Sequence, residues 1–129
     1  MDEQARTQIT AVRTVGVPVR DQDRALDFYV ATLGFEKRMD APLPQLGGRW
    51  LVVAPPGSET TIALVPESER APAGVETGVR LGTRDAEADH QRFAAAGVAV
   101  GELLRWEGVP PMFALRDPDG NGLEIVQDW

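Results

Sequence analysis

The sequence predicts an α+β domain of two similar halves, each running strand, helix, strand, strand, strand. Three observations predict it. The dipeptide Arg20-Asp21 returns as Arg84-Asp85, 64 residues later, each time ahead of a helical stretch. Each stretch ends on a glycine, Gly34 and Gly97, 13 and 12 positions after its Asp. A Pro- and Gly-bearing turn precedes the last strand of each half, Pro56-Gly57 and Pro118-Asp119-Gly120. Self-similarity of this kind marks a duplicated supersecondary unit. Neither half can build a good core alone, so the two are expected to pack together. A generic α+β domain whose halves match by chance is the alternative.

The elements follow in order. Residues 1–8 are polar and read as a loose arm. Thr10 to Pro18 mixes β-branched with alternating polar residues, a strand pattern. Asp21 suits an N-cap, since its carboxylate can accept from free N–H groups of the first turn. Leu26, Tyr29, Val30 and Leu33 fall at i, i+3, i+4 and i+7, one apolar face of a helix over Gln22–Leu33. On it, Phe28 and Tyr29 are expected in the core. Gly34 stops that helix. Strands are expected at Phe35–Asp40, Arg49–Ala54 and Thr60–Val65, with a loop over Leu43–Gly48. Pro66–Gly74 (PESERAPAG) is the linker. The second half repeats the plan: strand Glu76–Thr83, Asp85 as cap, helix Ala86–Ala96, then strands Val98–Trp106, Met112–Arg116 and Leu123–Gln127. Module one thus covers about 10–65 and module two about 75–127, within one domain over 1–129.

Composition bounds the function. A chain of 129 residues suits one domain and can bury roughly two-thirds of its unfolded surface. There is no Cys, which excludes disulfides, a Cys-based zinc site and a thiol nucleophile. The net charge is -7, with 20 acidic against 13 basic residues. Nucleic-acid binding depends on neutralising phosphates, so none is expected. Apolar runs are too short for a bilayer, and the polar start lacks a signal-peptide core. A cytoplasmic protein with no membrane partner is expected.

Two stretches resemble a known family. Val17 to Phe35 (VPVRDQDRALDFYVATLGF) is similar to the first strand, helix and Leu-Gly stop of the vicinal-oxygen-chelate superfamily, the glyoxalase, bleomycin-resistance protein and extradiol dioxygenase relatives. Arg116 to Val126 (RDPDGNGLEIV) is similar to their final turn and strand. The resemblance spans about Thr10 to Gln127. It implies two βαβββ modules forming a curled mixed-sheet cup, the glyoxalase/bleomycin-resistance-like fold, with a ligand inside and a homodimer as the assembly.

The resemblance also implies where a metal would sit. In the family's metalloenzymes four cup-facing residues, on the first and last strands of each module, hold a divalent ion that acts as a Lewis acid. His, Glu and sometimes Gln suit that role. The matching positions here are Thr14 and Gly78, seven residues before Asp21 and Asp85, with Ala63 and Glu124 on the last strands. Only Glu124 is a good ligand, so no tightly held metal is expected; a divalent metal is the disfavoured alternative. Arg80 lies two residues beyond Gly78 and shares its face. It is expected to pair with Glu124 in place of the metal, the alternative being a solvent-facing Arg80.

Trp50, Trp106, Met112 and Phe113 lie on expected strands. Trp50, Trp106 and Met112 join Thr14, Ala63, Gly78, Arg80 and Glu124 as candidate pocket residues, with core or dimer packing as the alternative. His90, the only histidine, falls with Ala86, Phe93 and Ala94 on the apolar stripe of the second helix, so a structural role is favoured. No catalytic residue is assigned. Asp117 and Asp119 belong first to a turn and lack EF-hand spacing. No Ser-His-Asp set or phosphate-cradling Gly-rich loop is present. The expected function is binding of a small organic ligand. A divergent metal-dependent glyoxalase-type lyase or dioxygenase is the alternative, and a regulatory module with a vestigial pocket is a third reading.

Overall fold

The structure, a computed structural model, describes residues 6–128. Most of the expected N-terminal arm lies outside them. The chain forms β1 (Thr14–Val19), α1 (Gln22–Asp27), β2 (Glu36–Leu43), β3 (Gly48–Ala54), β4 (Thr61–Pro66), β5 (Glu76–Thr83), α2 (Ala86–Ala95), β6 (Met112–Arg116) and β7 (Gly122–Gln127). One sheet has the order β1-β4-β3-β2, the other β5-β7-β6. In both, the first and last strands of the half pair in parallel and the remaining pairs are antiparallel. The duplication holds in register. Gly16 pairs with Ala63 and Arg80 with Glu124, and Arg80 follows Gly16 by 64 residues, the interval between the two Arg-Asp dipeptides.

Both helices start as expected. The Asp21 carboxylate accepts from the Arg24 N–H at 3.0 Å, and Asp85 accepts from Ala88 N–H at 3.0 Å. Helix α1 departs from the expected regular run to Leu33. It continues from Phe28 to Thr32 as a wider π turn, with the Leu33 N–H bonded to the Phe28 carbonyl. The wider turn rotates later residues around the axis. Tyr29 stays fully buried, whereas Val30, expected on the apolar face, is 38% exposed. On α2, Ala86 and Phe93 are buried as expected, but Ala94 is exposed.

Three further expectations are corrected. Strand β2 runs on to Leu43, and a single 3-10 turn over Pro44–Leu46 joins it to β3, because Met39 and Ala41 pair with Val52 and Trp50. The expected strand Val98–Trp106 touches β6 only through the isolated bridges Val100–Leu115 and Leu104–Met112. Leu104 lies four positions after Val100 but Leu115 only three after Met112, so one residue bulges and breaks the ladder. The linker is tied down: Ala73 is buried, and Gly74 and Val75 donate their N–H groups to Asn121 Oδ1 at 2.8 and 3.1 Å.

One core joins the halves. Val17, Val19, Leu51, Val53, Ile62 and Leu64 from the first sheet meet Phe113, Leu115, Leu123 and Ile125 from the second, with Tyr29 and Phe93 from the helical segments between them. Phe35 and Pro55, near the outer strands of the first sheet, line one cavity of about 200 Å³ with Leu81 and Ile125 of the second. The halves therefore stack helix side to helix side. Because side chains alternate along a strand, the opposite face of each sheet looks away from this core. The two sheets do not close a cup within one chain.

The turn Asp117–Asn121 clasps the halves. Asp117 Oδ2 accepts from the Tyr29 hydroxyl at 2.9 Å and from Asn121 Nδ2 at 3.0 Å; its Oδ1 accepts from the N–H groups of Asp119 and Asn121. Asn121 also donates to the Pro18 carbonyl at 2.8 Å. Asp119 Oδ1 accepts from Arg20 N–H at 3.1 Å and Arg24 Nη2 at 2.8 Å, while its buried Oδ2 has no hydrogen-bond partner. The two guanidinium groups offset that charge. Burial first, then the negative charge of Asp117 and the hydrogen bond to it, push the Tyr29 phenol well above its ordinary value of 10.0.

Candidate functional site

The open face of the first sheet is built by alternation. Leu51 and Val53 turn into the core, so Trp50 and Val52 turn outward. Cross-strand register places Met39 and Ala63 beside Val52, Ala41 beside Trp50 and Gly16 beside Ala63. Thr14 and Thr61 stand in register; the Thr61 hydroxyl donates to the Arg13 carbonyl at 3.3 Å and accepts from the Thr14 hydroxyl at 2.8 Å. A cleft of about 670 Å³ lies over this face, lined among others by Arg13, Thr14, Met39, Trp50, Val52 and Glu59. All of its lining residues come from the first half. The wall is apolar and aromatic at its centre and charged at its rim.

The open face of the second sheet has a different chemistry. Phe113, Leu115, Leu123 and Ile125 turn inward, so Met112, Ala114 and Glu124 turn outward. Arg80 shares this face and stands in register with Glu124. Its Nη2 lies 3.8 Å from Glu124 Oε2 and 3.7 Å from Met112 Sδ. The side chains are 55% and 47% exposed, so the ion pair is loose and contributes little stability. Arg116 and Glu76 form a second ion pair over Gly122, and Arg116 Nη1 also donates to the Gly120 carbonyl at 3.3 Å.

The expected site residues thus fall into two groups. Thr14, Trp50 and Ala63 belong to the first face, although Ala63 is fully buried among its neighbours. Arg80, Met112 and Glu124 belong to the second. Gly78 sits at the irregularity in β5 with φ 75°, a conformation that favours glycine. Trp106 is 61% exposed after the irregular segment and does not line the cleft over the first sheet. The sequence reading missed Arg13, Met39, Val52, Glu59 and Thr61. Alternation of Met39 and Ala41 with charged Arg38 and Asp40 was the signal for β2.

His90 is structural. Its Nε2 lies 2.8 Å from the Gly101 carbonyl, which can only accept, so Nε2 carries the proton. The ring packs edge-on to Phe113 at 5.0 Å. The donor set does not fit a divalent ion. Thr14 is engaged with Thr61, Ala63 and Gly78 offer no side-chain donor, and Glu124 faces a guanidinium. Among the described residues no three or more His, Asp or Glu side chains gather as a metal site. No helix among them is long and apolar enough to cross a membrane.

Residues 11–125 match the family model of the Glyoxalase/Bleomycin resistance protein/Dioxygenase superfamily. The chain belongs to this superfamily. Within it, the chain is similar to TnmS3, an antibiotic binding protein from Streptomyces sp. CB03234, with a TM-score of 0.86 and 37% identity over 96% of this chain and 100% of that one. It is also similar to a superfamily member from Sphaerobacter thermophilus DSM 20745, with a TM-score of 0.85 and 35% identity over 95% and 100% of the two chains. YurT of Bacillus subtilis (strain 168) is 29% identical over 119 residues, 84% of this chain and 92% of YurT. The α+β fold of two mixed, unclosed sheets is therefore that of the glyoxalase/bleomycin-resistance superfamily.

Proposed function

We propose that this superfamily member is a cytoplasmic homodimer that binds a small organic molecule in a cup shared by two copies, without a tightly held metal. The observation that carries this reading is the pair of open sheet faces on opposite sides of one core. Each is half of a binding site: the Trp50 wall on one, the Arg80–Glu124 wall on the other. A two-fold axis sets the first sheet of one copy against the second sheet of its partner, and does so twice. Two enclosed cups result from two half-cups per chain. The likeness to an antibiotic binding protein supports a binding role. The lack of Cys is compatible with a reducing compartment.

Sedimentation equilibrium and a thermal-shift screen of apolar small molecules test the reading together. The expected species is two chains of 14.0 kDa each, with at least one compound raising Tm by stabilising the folded dimer. That rise should shrink in Trp50→Ala. A monomer at all concentrations, or stabilisation that Trp50→Ala leaves untouched, overturns it.

A further inference from the structure

The two walls of the shared cup are chemically unlike, and their mismatch defines what lies between them. On the first face the centre is Trp50, Val52 and Met39, with the Thr14 hydroxyl donating to Thr61 and the Thr61 hydroxyl to the Arg13 carbonyl. On the second face two ion pairs, Glu76–Arg116 and Arg80–Glu124, stand side by side. The internal repeat makes the contrast local. At the two positions where the second half carries Arg80 and Glu124, the first half carries Gly16 and Ala63. A Cβ added at Gly16 would meet nothing within 4 Å. The charged pair on one wall thus has two small, uncharged residues as its counterpart on the other.

These walls cannot pack directly on each other. Pressing two ion pairs against an apolar surface strips their hydration without returning hydrogen bonds. The gap needs a filler that is apolar toward Trp50 and polar toward the charges. Of the two cations on the charged wall, Arg116 is engaged by Glu76 and by the Gly120 carbonyl. Arg80 has only a 3.8 Å contact to Glu124 and a thioether contact. Its Nε and Nη1 keep their donors for an incoming acceptor, in the planar fork that matches a carboxylate.

Resting on the two-copy cup proposed above, we propose that the ligand is an organic acid with a flat apolar body. Arg80 of one copy takes the anionic oxygens, and Trp50, Val52 and Met39 of the other copy take the body. Gly16 leaves open space beside them for the edge of the body.

Calorimetry on the full chain with three probes of one ring system tests this: naphthalene-2-carboxylate, naphthalene-2-carboxamide and 2-naphthylmethylamine. The carboxylate is expected to bind at least about tenfold more tightly than the amide, and the amine more weakly still. Arg80→Gln should remove the carboxylate's advantage while changing amide binding less than about twofold, and Arg80→Lys should restore it only in part. Trp50→Ala should weaken all three. Equal binding of acid and amide, tightest binding of the amine, or an unchanged acid preference in Arg80→Gln overturns the inference while leaving the shared cup standing. If none of the probes binds and the chain sediments as a monomer, the shared cup falls with it.

Discussion

The Tyr29 hydroxyl donates to Asp117 Oδ2 at 2.9 Å across 88 positions of sequence, joining the helix of the first half to the last turn of the second. Both side chains are buried, and the contact sits inside the clasp that sets the halves back to back. The outward direction of the two open faces depends on this arrangement.

Tyr29→Phe keeps the ring and deletes the donor, leaving a buried carboxylate oxygen with one partner fewer. Chemical denaturation at neutral pH should show a loss of about 1–3 kcal/mol. The pH dependence follows from the raised phenol. Above pH 10.0 the unfolded phenol loses its proton while the folded one keeps it, so the unfolded state binds fewer protons and stability falls as pH rises. The contribution is intact below that pH and declines above it. The gap between wild type and Tyr29→Phe should therefore narrow from pH 10 upward; a gap constant to pH 11 would contradict the burial of this hydroxyl.

Gly16→Val separates binding from folding. The position lies in β1, its φ is not positive, and the added Cβ meets no atom within 4 Å. A β-branched residue suits a strand, so stability should change by less than about 1 kcal/mol. The valine side chain would then occupy the open space over the first face at this position. Affinity for any stabilising compound found by thermal shift should fall about tenfold or more, read as 1.4 kcal/mol of binding free energy. Unchanged affinity would place the ligand elsewhere.

Mixed variants report whether the site is shared. Trp50→Ala damages only the first-sheet wall, and Arg80→Gln only the second-sheet wall. In a heterodimer of the two, one cup carries both lesions and the other carries none. Mixing the purified variants, after dissociation and reassociation, should restore wild-type affinity at up to one site per heterodimer. No restoration would mean that both walls act within one chain.

Metal should be dispensable. With Thr14, Ala63 and Gly78 at three of the four family ligand positions and a carboxylate only at Glu124, dialysis against a chelator should leave Tm within about 1 °C and ligand affinity unchanged, because only a bound ion can add linked stability. Stoichiometric zinc, nickel, iron or manganese in the purified protein would reverse this reading.

The helix caps and part of the sheet register were legible in the sequence. The Asp21 and Asp85 caps, the spacing to Thr14 and Gly78, and the pairing of Arg80 with Glu124 follow from strand alternation and an internal repeat, which are local rules. Met39 lay inside an expected strand but escaped as a pocket residue, because only cross-strand register sets it beside Val52. The role of Asn121 escaped for another reason. Asp-Pro-Asp-Gly-Asn is a turn wherever it occurs, and nothing local reveals that its last side chain reaches Pro18, Gly74 and Val75.

By itself the sequence determined two duplicated halves, their helix caps and the residue types at Thr14, Ala63, Gly78 and Glu124, since each is written in residue type and spacing. Only the tertiary structure decided that the halves stack helix side to helix side and turn their open faces apart. That choice rests on residues distant in the chain: the contact of Tyr29 with Asp117, and one cavity that Phe35 and Pro55 line together with Leu81 and Ile125. Alternation along a strand says which residues share a face, but only packing says what that face meets.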